Sequence, residues 1–424
     1  MKRLFPLLLL AVAFASCSKT DSMSVKSNAK AETPEDAKQT ISDILTEAVE
    51  MIDVSEFEPV VKLARECAEI VMDSDFEVIE NHFMSYAEAN GLALNKTLGS
   101  NVGGTVTYVT NFAISASLSG VEGQFELPKG STKWVKTGSA DGLTLTMYDK
   151  SGKEVKAALT WSSATSKIHF AEFNNWTHAE YSNYCYKYDG DIEVDFPKQI
   201  SLSLTHGGSA VASAKISSDV NVPGAIVTDG WPNVELLGTA DFSISAAVSV
   251  QSLSVTLDEL YFKNGNARVQ LGLSKGSTRI IGLSLSGKSI TYNELTGPGC
   301  EGVEAEFDVL SKLQVKGKSN VNSILNLINN GYDSSTLAGA QAYADKLNSV
   351  ISVGIFFGDD IQQAYMEFSP VSSGRYYYVE PVIVFCKDGT SFSFEEYFTP
   401  LNFLSVVNAA LDVVNDFSDL VNGE

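Results

Sequence analysis

From about Val102 to Leu295 the chain alternates an apolar residue with Ser or Thr, and this pattern limits the fold more than any other feature. It reads Phe112-Ala-Ile-Ser-Ala-Ser-Leu118, Leu143-Thr-Leu-Thr-Met-Tyr148 and Ile200-Ser-Leu-Ser-Leu204. It continues as Phe242-Ser-Ile-Ser-Ala246, Leu253-Ser-Val-Thr-Leu257 and Leu283-Ser-Leu285. A period of two is the period of a strand, because successive side chains point to opposite faces. Each segment therefore offers an apolar face to a core and a hydroxyl-rich face to water. Turn signals stand between the segments: Asp149-Lys-Ser-Gly152, His206-Gly-Gly208, Lys263-Asn-Gly265 and Ser286-Gly287. Lys129-Gly-Ser-Thr132 and Lys275-Gly-Ser-Thr278 hint at a repeated hairpin. Turns this short join antiparallel strands, and the lack of helical crossovers argues against a parallel sheet.

Helical periodicity flanks this stretch on both sides. Thr33 is a good N-cap, Pro34 suits the first helical position, and Ile41, Ile44, Leu45, Ala48 and Ile52 recur on one face. Ser55-Glu56-Phe57-Glu58 reads as a capping box, followed by a stripe from Val60 to Met72 that includes Cys67. A third helix is expected from about Asp75 to Ala89, stopped by Gly91. Beyond the alternating region, helices are expected over Val321 to Ser352 with a break at Gly331. Strands follow near Ile355–Phe357, over Tyr376 to Phe385 and over Phe392 to Tyr397. Thr399-Pro400 opens a last helix whose stripe is Phe403, Leu404, Val407, Leu411, Val414, Phe417 and Val421. The expected class is α+β: a long antiparallel β meander, as a curved sheet or sandwich, packed with an N-terminal helical segment and C-terminal helices. The corresponding divisions are a leader at 1–16, a flexible tether at 17–31, helices at 32–98, the β domain at 99–298 and a mixed segment at 299–424.

The leader fixes the expected compartment. Lys2 and Arg3 precede an apolar run from Leu4 to Ala15, too short to span a bilayer as a helix, and then Phe14-Ala-Ser-Cys17. Small residues before a cysteine suit signal peptidase, and the thiol of Cys17 would accept diacylglycerol. A polar stretch with too little apolar surface to fold runs to about Lys30. These residues resemble the lipobox and tether of Bacteroidetes surface lipoproteins, with Phe14 where Leu is usual. Asp21-Ser22-Met23 resembles the O-glycosylation motif of the same group, with Ser22 as its acceptor. The resemblance implies an outer-membrane protein anchored through Cys17, on the periplasmic or cell-surface face. The 424-residue chain carries a formal charge of −22, which disfavours nucleic acid and anionic lipid as partners.

Several motifs lose their meaning in context. Gly282-Leu-Ser-Leu-Ser-Gly287-Lys288-Ser289 matches the P-loop letters, but a P-loop lies between a strand and a helix, and here Leu and Ser alternate as in a strand. No nucleotide and no other cofactor is expected. His82, His169, His178 and His206 lack metal-ligand spacing, and no GxSxG elbow is present. Cys67, Cys185, Cys300 and Cys386 are far apart, without a CxxC, and read as free buried thiols; as disulfides they would allow three pairings. Acidic pairs such as Asp359-Asp360, Glu395-Glu396 and Asp189/Asp191 read as solvated surface, so the chain is expected not to be an enzyme.

The most distinctive stretch lies between His169 and Asp191. Trp176, Tyr181, Tyr184, Tyr186 and Tyr188 stand among Asn175 and other amides and acids. Aromatic faces beside amides suit a sugar, because rings stack on C–H faces while polar groups bond hydroxyls. Packing of these rings under helices or in cross-strand pairs is the structural alternative. The functional expectation is non-catalytic binding of an extracellular glycan or protein partner. A carrier for an apolar ligand enclosed by a curved sheet is the rival, and an extracytoplasmic hydrolase the third choice.

Overall fold

The computed structural model describes residues 28–89, 111–113, 118–170, 192–222, 227–228, 231–232, 241–293, 297–358 and 360–422. Two compact units emerge. The flanking unit combines the chain up to Ser55 with Leu253–Asp258 and Gly265 onward, and the middle unit combines Glu56–Ser252 with Glu259–Asn264. The class is α+β with a mostly antiparallel arrangement, as the alternation requires.

The flanking unit opens with α1 (Pro34–Glu50), capped by the Thr33 hydroxyl, which accepts from Asp36 N at 3.2 Å, with Pro34 in the first turn. Its apolar positions recur at three and four residues, and Ala37, Ile41, Ile44, Leu45 and Ala48 are buried.

The boundary falls within the 3₁₀ turn Val54–Phe57, and the middle unit continues with α2 (Glu58–Met72), then α3 (Glu77–Ala89). The expected capping box does not form. Ser55 bonds back to Asp53 at 2.6 Å, Glu56 accepts from Ser252, and Phe57 occupies the cap with no side-chain bond. The local aspartate competes for the serine, which is how Asx-type turns displace caps.

Strands follow as β1 (Asn111–Ala113), β2 (Gly123–Glu126), β3 (Val135–Gly138), β4 (Leu143–Tyr148), β5 (Glu154–Trp161), β6 (Thr165–Phe170) and β7 (Ile192–Pro197). Then come β8 (Gln199–His206), β9 (Ser209–Val222), β10 (Val227–Thr228), β11 (Trp231–Pro232) and β12 (Asp241–Val250). The pairing runs β3–β2–β4–β5–β8–β9–β12, antiparallel except β2–β4. Two further parallel contacts, β6–β9 and β1–β7, stand beside the antiparallel pairs. Here strands pair side by side without a helical crossover, because the 14-residue β9 continues past its first partner to meet β6. The β8–β9 hairpin turns at Gly207-Gly208, both with positive φ, as a two-residue turn of this hand requires. The core gathers Leu63 of α2 with Phe125, Leu127, Trp134, Met147, Val155 and Val211. Trp134 is fully buried, and its indole N–H donates to Ser74 Oγ at 3.0 Å, which settles the polar end of a large apolar side chain.

Strand β13 (Leu253–Lys263) divides between the units. The flanking unit then builds β14 (Asn266–Lys275), β15 (Thr278–Lys288), a small ribbon of β16 (Thr291–Asn293) and β17 (Gly297–Gly299), β18 (Gly302–Val309) and β19 (Leu313–Ser319). Two helices come next, α4 (Val321–Asn330) and α5 (Leu337–Val350), then β20 (Ile351–Phe357), β21 (Ile361–Ser373), β22 (Tyr376–Phe385) and β23 (Ser391–Ser393). The chain closes with the short α6 (Phe394–Tyr397), a 3₁₀ turn Pro400–Phe403 and α7 (Leu404–Asn422). Strands β14, β15 and β18 to β23 pair in that order, every neighbour antiparallel.

On one face of this sheet Val309, Leu313, Val315, Val353, Ile355, Ala364 and Phe385 are buried, while Leu271 and Leu285 on the same face of β14 and β15 are exposed. Helices α1 and α5 lie against it, α5 through Ala340, Ala344 and Leu347. The other face carries polar side chains. Phe392 to Tyr397 is a three-residue strand and then a helical turn rather than one strand, because Ser393 caps at once by accepting from Glu396 N at 3.2 Å. The P-loop letters lie within β15, and the chain turns at Ser289 (φ 51°) rather than at Gly287-Lys288. Gly287 is buried inside the strand, with Ile290 and Cys300 beside it.

Candidate functional site

Strand register assembles a polar groove on the open face of the flanking sheet. Gln270, Ser284 and Glu306 are Cα partners across β14, β15 and β18, and Gly272, Gly282 and Asp308 form the next row on the same face. Neighbouring strands lie about 4.8 Å apart, so each row presents groups at that spacing. With Asp258 of β13 and Arg279 of β15 they line a groove of about 380 Å³.

Arg279 organises the groove. Its guanidinium donates to Asp258 Oδ2 at 2.6 Å and to the Leu271 carbonyl at 2.5 Å. It lies over the glycine pair: a Cβ at Gly272 would stand 2.3 Å from Arg279 Cζ, and one at Gly282 3.3 Å from Nε. The two glycines thus form a floor on which a planar group rests. Burial works to raise the pKa of Asp258, and the Thr256 hydroxyl and Arg279 outweigh it, leaving it below the usual carboxylate range. Asp308 is fixed as well: it accepts from Ser311 N at 3.1 Å and Gln314 Nε2 at 3.1 Å. Three carboxylates stand against one guanidinium in this lining, so the groove is negative. Among the described residues, no three His, Cys, Asp or Glu side chains converge in a geometry that would hold a metal ion.

His82 and His206 have structural work. His82 Nε2 bonds the Glu122 carbonyl at 2.7 Å, and its ring packs 5.5 Å from Phe125. His206 Nε2 meets Asp149 Oδ2 at 2.8 Å, while Asp149 Oδ1 accepts from Ser151 Oγ and Lys153 N, both at 2.7 Å. The Ser151 hydroxyl, the Lys153 amide and His206 together hold Asp149 far below its ordinary pKa against the opposing effect of burial, the serine contributing most. Ser, His and Asp are thus close, but the serine and the histidine both bond the aspartate. The arrangement locks the β4–β5 turn to the β8–β9 hairpin and offers no activated nucleophile. Cys67, Cys300 and Cys386 are free thiols; burial raises the pKa of Cys67 and Cys386, and Cys300 Sγ bonds the Lys288 carbonyl at 3.1 Å.

Cys17, Ser22, Asn175, Trp176, Tyr181, Tyr184, Cys185, Tyr186 and Tyr188 lie outside the described residues. The groove was hidden in the sequence because its acids come from separate strands. One signal was present: Glu304-Ala-Glu306-Phe-Asp308 places an acid at every second position, which sets three carboxylates on one face of β18.

No protein-family model matches the chain, and no curated protein is similar to it in sequence. Among solved structures the chain is similar to a porin-like protein from Bacteroides vulgatus ATCC 8482, with 9% identity and a TM-score of 0.16, covering 61% of this chain and 92% of that one. A likeness at that score carries no inference about fold or function.

Proposed function

We propose that the protein is exported, held on the outer membrane by lipid on Cys17, and binds an extracellular neutral glycan without chemical turnover. The observation that carries this reading is the groove of the flanking sheet. Carboxylate, amide, hydroxyl and guanidinium groups stand in rows above a glycine floor. Planar side chains of this kind make paired hydrogen bonds to neighbouring hydroxyls, and an open polar cleft favours a hydroxylated ligand over an apolar one. The excess of carboxylates selects against sulfated, phosphorylated and uronic sugars by simple repulsion. Trp176, Asn175, Tyr181, Tyr184, Tyr186 and Tyr188 stand as a second candidate sugar surface.

A glycan array probed with the mature chain tests the reading. Binding to neutral oligosaccharides that falls at least tenfold in Glu306→Ala and Asp308→Ala supports the groove. Loss in Trp176→Ala alone moves the site to the aromatic stretch, and silence across the array retires the sugar. A rival reading, an apolar-ligand carrier, draws on the middle unit, where Leu202, Ile216 and Val248 are exposed on β8, β9 and β12. Saturable uptake of an apolar fluorophore, lost in Leu202→Ser, would favour it.

A further inference from the structure

Helix α7 carries more apolar surface than its packing uses. Val406, Ala410, Val413, Phe417 and Leu420 are half-buried, on the side that meets α1, where Ser405 Oγ and Ser42 Oγ are 2.7 Å apart. A second stripe, Leu404, Val407, Leu411 and Val414, recurs at three and four residues and faces solvent. With Leu401 just before it, exposures run from 36% at Val407 to 76% at Leu401. The helix holds no Lys or Arg, and Asp412, Asp416 and Asp419 are exposed on its polar side.

The position of this stripe relative to the chain's N-terminal part decides what covers it. Asn28 N donates to the Cys386 carbonyl at 2.9 Å, and Lys387 Nζ to the Ala29 carbonyl at 3.0 Å. Tyr397 Oη donates to the Pro34 carbonyl at 3.0 Å, and Asn402 Nδ2 to the Tyr397 carbonyl at 2.8 Å. The segment that follows Cys17 therefore enters the described fold at Asn28, beside Cys386, and by Pro34 it has reached Tyr397, just before Leu401. The eleven residues from Cys17 to Asn28 reach at most about 40 Å even when fully extended. An acyl group on Cys17 would keep Leu401, Leu404 and Val407 within reach of the bilayer that holds it.

We infer that the outer stripe of α7 rests on the phospholipid surface, as an in-plane helix that orients the anchored protein. The inference depends on the anchoring reading above. The inner stripe stays on α1, so the helix lies on the bilayer rather than crossing it. Because the helix has acids and no bases, apolar burial supplies the attraction, and anionic headgroups add nothing.

The test uses the mature chain with Cys17→Ser, so that no acyl group masks weak binding. It is sedimented with phosphatidylcholine vesicles, with and without phosphatidylglycerol. Expected are binding at least fivefold above that of Leu404→Gln/Leu411→Gln, no gain from phosphatidylglycerol, and little effect of salt. Hydrogen exchange of the wild-type stripe, slowed by vesicles, reads the same contact independently of any variant. Unchanged exchange, or binding only to anionic vesicles, overturns the inference. So does a concentration-dependent dimer that the double variant dissolves, since a second copy would then cover the stripe. Mass spectrometry of the native N-terminus reads the anchor separately. Acylated Cys17 with an inert stripe defeats this inference alone, and a bare Cys17 with a lipid-binding stripe defeats the anchoring reading alone.

Discussion

At Gly272 the absence of a side chain sets the position of Arg279, and Arg279 in turn neutralises Asp258. A side chain there would push the guanidinium off its floor, and only the end of a flexible arginine must move. Gly272→Val is therefore expected to lower melting temperature by a few degrees at most, while glycan binding falls at least tenfold, as titration calorimetry would read. Asp149 makes the opposite kind of contribution, to stability and not to binding. Its carboxylate is bonded in the folded state and its pKa is depressed. Its contribution is thus complete above the ordinary carboxylate value of about 4 and fades as pH falls below it. Thermal melts between pH 7 and 2.5 should show a lower plateau and a shallower acid limb for Asp149→Asn than for the wild type. Identical curves would mean that the turn lock is idle.

Among the elements, two buried aromatic side chains tie segments together through their polar ends. Tyr397 is buried beside Phe385, with ring centroids 5.0 Å apart, and its hydroxyl meets the carbonyl of Pro34 in the first turn of α1. Tyr397→Phe removes that bond while the Pro34 carbonyl keeps its place in the helical ladder, and should cost about 1 kcal/mol in denaturant melts. Trp134→Ala opens a cavity in the middle unit and removes the indole bond to Ser74, a loss of about 3–5 kcal/mol.

Much at this scale was legible in the sequence. Thr33-Pro34 caps α1, Thr399 caps the turn before α7 by accepting from Leu401 N, and Gly331 ends α4, each through local chemistry. Strand β22 has the bounds its apolar and aromatic run implied. Non-local facts were not legible. Helix α1 packs on α7 from the other end of the chain, and no periodicity states a partner. Strand β21 begins with the buried pair Gln362 and Gln363, which hide it from an apolar pattern. Their positions become intelligible only through contacts such as Glu32 N to Gln363 Oε1 at 2.7 Å. Of the α7 stripe legible in the sequence, Leu404, Val407, Leu411 and Val414 are exposed, Phe417 is half-buried and Phe403 is buried. A wide apolar arc on a helix does not say how much of it the fold will cover.

At the scale of the flanking unit, two faces of one sheet divide the labour. The face under α1 and α5 supplies stability in the flanking unit. The opposite face is free of that duty and collects Gln270, Ser284, Glu306, Asp308 and Arg279. This explains how an acidic, hydroxyl-rich chain folds while keeping a polar surface open for a ligand. The most direct measurement is saturation-transfer NMR of a neutral oligosaccharide selected on the array, mixed with the mature chain and then with Glu306→Ala/Asp308→Ala. Strong transfer to the sugar ring protons with the wild type, lost with a double variant that still melts cooperatively, is the predicted result. Equal transfer with both proteins would contradict the account.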